Sequence, residues 1–175
     1  IVVIEKGEPK SCNIVTSCEG KGKTFIMFSD DLDKALATFV LANGAAATGQ
    51  KVTIFFTFWG LNVIKKLHKP KTEKDIFGKM FGMMLPSSSG KLKLSKMSMG
   101  GIGGKMMRYI MNKKGIDSLE SLRQQALENG VEFIACQMSM DVMGVKQEEL
   151  LDEVTVGGVA TYMERADNAN VNLFI

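Results

Sequence analysis

The residue in this chain best placed for chemistry is a cysteine at the point where a strand gives way to a helix. It is Cys136, in the stretch GVEFIACQMSMDVMG from Gly130 to Gly144. Gly130 is a helix-ending residue, Val131 to Ala135 form an apolar run of strand length, and Gln137 to Met143 turn into a new helix. Ligands of open α/β sheets sit outside the carboxyl ends of strands. A helix N-terminus there offers unpaired N–H groups and about half a positive charge. Both favour the thiolate, the nucleophilic form, and such settings lower a cysteine pKa from roughly 8.5 to about 3.5–7.5. The competing reading is a small buried hydrophobe, because cysteine is among the most buried residue types. Position alone does not separate the two.

The other candidate groups are weaker. Cys12 and Cys18 are two thiols near the amino end, and His68 is the single histidine. A zinc site wants four ligands, so no metal centre is expected. Trp59 ends an apolar strand on the edge expected for Cys136, where it walls a pocket or packs as core or subunit contact. The run Gly100-Gly101-Ile102-Gly103-Gly104-Lys105 fails both phosphate motifs. A Walker A loop needs Gly at 99 and Ser or Thr at 106, and a dinucleotide fingerprint needs Gly at 106; both positions are Met. Lys105 and Arg108 beside flexible glycines retain a weak anion-binding signal.

A scaffold must position these groups, and 175 residues suffice for one domain with a full core. No apolar run approaches the roughly 20 residues of a spanning helix, and no signal peptide pattern opens the chain. Three cysteines in no regular framework fit a reducing, cytoplasmic compartment. The chain opens on Ile1 rather than Met, which suggests preceding sequence, and 1–22 reads as an opening strand and linker. The net charge of +3 hides an asymmetry: Lys65 to Lys114 holds 13 Lys and Arg against two acids, Glu73 and Asp75. Eight of the 13 methionines also fall between Met80 and Met111. This basic, Met-rich stretch, centred on 70–104, reads as an insertion that meets an anionic ligand or another chain, or as a solvated loop.

Thr24 to Ser29 and Lys51 to Phe58 lack alternation, as strands buried on both faces do. Between them Leu32, Ala35, Leu36, Phe39 and Val40 recur at helical spacing, with Asp30 as the expected cap. After Trp59-Gly60-Leu61 a short helix is expected to run to Leu67, and another over Lys105 to Lys113. Asp117 to Asn129 reads as a helix capped by the pair Asp117 and Glu120. Strands at Val154 to Val156 and Val171 to Phe174 flank a helix through Ala166. The expected fold is a three-layer α/β sandwich of about five mostly parallel strands.

Taken in order, FSDDLDKALATFVLANGAAATG (28–49), VTIFFTFWGL (52–61), GVEFIACQMSMDVMG (130–144), EEL (148–150) and VGGVATYMERADNANVNLFI (156–175) resemble the DsrE/DsrF-like family of small sulfur-handling proteins. The likeness is to the branch often fused to rhodanese, TusA-like and coenzyme A-disulfide-reductase-like domains, over about 23 to 175. It implies a five-stranded parallel sheet, a homo-oligomer and, at Cys136, a thiol that accepts sulfane sulfur as a persulfide. No Cys-x-x-Cys occurs, so a dithiol redox cycle is not expected, and neither is a cofactor.

On that reading Cys136 takes sulfur from a donor persulfide and passes it to an acceptor thiol, with sulfur donor and acceptor proteins or small persulfides as partners. Trp59 and Gly60 shape the pocket, Asp141 positions the donor or caps, and the lysine-rich stretch with Lys105 attracts anionic donors. Two alternatives stand beside it: a binding or scaffold module with an inert Cys136, and peripheral membrane association through 76–111. Nucleic-acid binding is not expected without an aromatic–basic platform.

Overall fold

The computed structural model describes residues 22–67, 86, 88–96 and 102–175. Cys12, Cys18, His68, the opening segment to residue 21 and most of the 70–104 stretch lie outside the described residues.

Five strands form one sheet: β1 (Gly22–Met27), β2 (Val52–Phe56), β3 (Glu132–Cys136), β4 (Thr155–Gly157) and β5 (Ala169–Phe174). Their order is β4-β3-β2-β1-β5, and every neighbouring pair is parallel. Parallel neighbours need crossovers, and helices supply most of them. Helix α1 (Leu32–Ala47) joins β1 to β2. Helices α2 (Ile102–Lys113) and α3 (Leu119–Glu128) lie between β2 and β3. The short α4 (Gln137–Met143) follows β3, and α5 (Val159–Asp167) joins β4 to β5. This is the three-layer α/β sandwich with a parallel five-stranded sheet that the sequence led us to expect.

The two faces of the sheet are covered unequally. Side chains alternate along a strand, so Phe25, Met27, Ile54, Phe56, Phe133 and Ala135 face one way. They form the main core with Leu32, Ala35 and Phe39 of α1 and Leu119 and Ala126 of α3. Phe55, Ile134 and Cys136 face the other way, against Tyr162 of α5. Val40, expected in the buried stripe of α1, is exposed, because that helix packs through Leu32, Ala35, Thr38, Phe39 and Ala42.

Local signals move some boundaries. β2 stops at Phe56, and a 3-10 turn over Phe58–Ile64 replaces the expected helix. Asp31, not Asp30, sits at the α1 N-cap, and its side chain makes no cap bond. Asp31 instead accepts from Ser29 Oγ at 2.8 Å. Ser118 caps α3 by accepting from the Ser121 N–H at 3.1 Å, so the expected Asp117–Glu120 pair is not the cap. The expected stops at Gly49 and Gly130 are present, with φ of 76° and 77°.

Gly60 shows how tightly the 3-10 turn meets the sheet. Its N–H donates to the Phe28 carbonyl at 2.9 Å. A Cβ there would overlap the Met27 carbonyl, which is backbone and cannot swing aside. Gly60→Ala is therefore expected to lower unfolding stability by about 3 kcal/mol, the upper range for overpacking. Urea unfolding checks this, and an unchanged midpoint would refute the close approach.

Candidate functional site

Strand parity fixes where Cys136 goes. Glu132, Ile134 and Cys136 share the α5 face of β3, and Cys136 is its last residue. The same residue is the N-cap of α4, with φ −71° and ψ 114°. Its register partner on β4 is Gly157, and Gly158 caps α5 one residue later. Two helices thus begin beside this cysteine at the carboxyl edge of the sheet, the edge at which open α/β proteins bind ligands.

Position alone left the depth of this thiol open. Cys136 is not reachable from solvent at the rim: it is 1% exposed. Phe55, Ile134 and Tyr162 enclose it, with Ile26 and Ala166 packed alongside. The Phe55 and Tyr162 rings lie 5.2 Å apart. The burial follows from parity, because Cys136 inherits the inward direction of Ile134 rather than the outward direction of a loop residue.

The cover, α5, is held to the sheet by polar contacts of Tyr162 and Arg165. Tyr162 Oη lies 3.2 Å from Thr24 Oγ1, which also bonds Asn172. Arg165 forks onto Glu132, Nε to Oε2 at 3.0 Å and Nη2 to Oε1 at 3.2 Å. Thr53 Oγ1 donates to the same carboxylate at 2.9 Å. Burial raises the Glu132 carboxyl, but the bonds from Arg165 and Thr53 and the Arg165 charge outweigh it and hold it below its ordinary value. The Arg165 guanidinium is raised in turn, chiefly by its bond to Glu132. A carboxylate depressed in the folded state stabilises above its unfolded pKa, and that contribution fades as pH falls through the folded one. Acidification into the carboxylate range therefore loosens the grip of α5.

The remaining expected site residues scatter. Trp59 is at the carboxyl edge and 46% exposed, but its ring partners are Phe28 at 5.5 Å and Phe58 at 5.8 Å. Phe174 joins them through Phe28 at 5.6 Å and is exposed too. Phe58 has a left-handed backbone, φ 48°, which costs a bulky residue about 1 kcal/mol or more. That turn sets Trp59 and Phe58 in a stack. Trp59 is not in the group around Cys136. Gly60 is buried against Met27. Asp141 accepts from Gln137 within its own helix at 2.9 Å, an i,i+4 pair on an exposed face one turn past Cys136. Lys105 lies on α2, whose Gly104 and Arg108 pack on Leu92, a residue of the main core. That is the far layer from the thiol.

Sequence reading missed Tyr162, Phe55 and the Arg165–Glu132 pair. The available signal was parity: once Cys136 is paired in step with Ile134, its face and therefore its cover follow. A second polar group on the carboxyl edge also went unnoticed. Asn62 Nδ2 donates to Asp30 Oδ2 at 3.0 Å, and burial pushes the Asp30 carboxyl up against that bond. Among the described residues no three His, Cys, Asp or Glu are grouped to hold a metal.

The chain belongs to the DsrE/DsrF/DrsH-like family. Residues 20–174 match the profile of the DsrE/DsrF/DrsH-like family. The chain is 44% identical over 155 residues to the uncharacterized protein YrkE of Bacillus subtilis, covering 89% of this chain and 97% of that one. It is 37% identical over 161 residues to the sulfur carrier protein DsrE2 of Allochromatium vinosum, covering 90% and 99%. Among solved structures, the ychN protein from E. coli superposes with a TM-score of 0.52 at 11% identity, over 88% of this chain and 99% of that one. That likeness supports the fold alone. No helix among the described residues is long and apolar enough to cross a membrane.

The geometry makes the cover testable. Tyr162→Ala removes the ring over Cys136 and the bond to Thr24, so iodoacetamide labelling of the Cys136 peptide should speed up by about tenfold or more through local opening. Peptide-resolved mass spectrometry separates this thiol from Cys12 and Cys18. A rate equal to that of the native chain would mean that α5 does not guard the sulfur.

Proposed function

We propose that this protein is a sulfur carrier that holds sulfane sulfur on Cys136 and hands it to an acceptor thiol. The observation that carries the reading is the place of Cys136: last residue of β3, first cap of α4, beside the Gly157–Gly158 start of α5. The family and the 37% identical sulfur carrier support it. Cys136 thiolate attacks the outer sulfur of a donor persulfide. The donor S–S bond breaks, its electron pair leaves on the donor thiolate, and Cys136–S–SH forms. An acceptor thiolate then attacks that outer sulfur and regenerates the Cys136 thiolate. No net oxidant or reductant is needed, since each step exchanges one S–S bond for another.

Burial gives the carrier a second requirement. A persulfide sheltered by Phe55 and Tyr162 is kept from stray thiols, and transfer takes place when α5 moves aside. Trp59 and Phe174, exposed on the same edge, offer apolar area for a donor or acceptor protein or for a second copy of this chain. Asp141, exposed one turn into α4, would help position the partner. Lys105 and the lysine-rich stretch would act at longer range by attracting anionic donors. In this reading residues 23–175 form the carrier domain, 1–22 lead into it, and the protein works in the cytoplasm.

Burial of Cys136 also favours a second reading, an oligomeric binding module of sulfur metabolism in which this thiol is a packing residue. Incubation with glutathione persulfide followed by intact mass spectrometry separates the two. The carrier gains one sulfur atom on the native chain, loses it on reduction, and gains none on Cys136→Ser. A Cys136→Ser chain that gains the same labile sulfur would refute the assignment, and a native chain that gains none would favour the module.

A further inference from the structure

We propose that the outward face of α2 docks on an anionic lipid surface. The helix is turned so that its small residues face the protein. Gly103, Gly104 and Met111 are buried, and a Cβ on Gly104 would sit 3.2 Å from the Leu92 carbonyl. Arg108 fastens the helix by donating to the Leu92 and Ser89 carbonyls at 3.3 and 3.2 Å. Four other large apolar residues are left outside. Ile102 is 64% and Tyr109 67% exposed, and Met106 and Ile110 are exposed with them. Positions 102, 106, 109 and 110 fall within one stripe of a helix that turns about 100° per residue. Four such side chains make a patch on the order of a few hundred Å², the size that marks an interaction surface.

The charge around the stripe selects the occupant. Residues 91–116 contain seven Lys and Arg and no acid. Lys105, Lys113 and Lys114 are exposed along or beside α2, and Lys91 and Lys93 are exposed on the strap it packs against. The acids that reach that strap are already engaged: Asp33 bonds Ser95, and Glu120 accepts from Ser89. A two-fold contact through this face would set these cations against their own copies. An anionic bilayer takes both components: the lysines meet headgroups, and Ile, Met and Tyr enter the interface. At 12 residues α2 is too short to span and would lie in the plane of the surface.

This inference does not rest on the sulfur chemistry, so either can fail alone. The test is flotation of the full chain with vesicles of phosphatidylcholine alone, and with vesicles of equal parts phosphatidylcholine and phosphatidylglycerol, at low salt. The native chain should float with the anionic vesicles only. Met106→Ser with Tyr109→Ser, both exposed and therefore tolerable to the fold, should weaken binding by about tenfold or more. Lys105→Glu with Lys113→Glu should do the same. No flotation with anionic vesicles would overturn the proposal. So would native-like flotation of the double-serine chain, whether or not light scattering shows it to have changed subunit number; a change would point to a second copy as the occupant.

Discussion

The two-residue period of β3 is the constraint from which the rest of this site follows. Because Ile134 points toward α5, Cys136 must point there too, and a residue at the end of the strand becomes an inward one. A shift of register by a single residue would bring Ala135 to that face and turn the thiol into the main core. The parallel pairing of β3 with β2 on one side and β4 on the other holds the register in place. The thiol therefore sits at a chemically favoured edge yet under a cover, and both properties have the same cause.

The covering layer is thin where the opposite one is thick. One face of the sheet is packed by α1 and α3, with α2 outside them on the Leu92 strap. The other face receives α5, nine residues long, whose one fully inward large side chain is Tyr162. Gly157 lets Ile134 and Thr161 come close to β4, since a Cβ there would sit 2.9 Å from Ile134 and 3.4 Å from Thr161. The helix thus sits low over the sheet near Cys136. It is tied by a tyrosine hydroxyl and one arginine fork. A partly exposed fork of this kind contributes little to stability. Such an element belongs to the low-stability end of a fold, where local opening concentrates. Burial of the thiol and its occasional exposure are compatible in that arrangement.

Much of the architecture was legible in the amino-acid order. Continuous apolar runs at 24–29 and 51–58 pointed to parallel, doubly covered strands, and the helical spacing after the first pointed to the α1 crossover. The likeness in the 130–144 and 156–175 stretches led to the family. What could not be read was the depth of Cys136, because depth depends on which distant helix lies over a strand face. Tyr162 and Phe55 are more than a hundred positions apart and meet only once the sheet is assembled. The caps were misassigned where competing polar residues stood side by side: Ser118 beside Asp117, and Asp31 beside Asp30. Phe58 defied propensity altogether, taking a backbone that few bulky residues adopt so that Trp59 could join the aromatic cluster. On α2, glycines pack inward with Met107 and Met111, while Ile102, Met106, Tyr109 and Ile110 are left outside.

The account turns on sulfur passing through Cys136, and label transfer tests that most directly. The protein is loaded from a donor persulfide whose outer sulfur is radioactive, freed of donor, and mixed with an acceptor thiol. Peptides are then separated before and after mixing. The account predicts label on the Cys136 peptide alone, moving to the acceptor on mixing. Label confined to the Cys12 and Cys18 peptides, or fixed on Cys136 and never released, would contradict it.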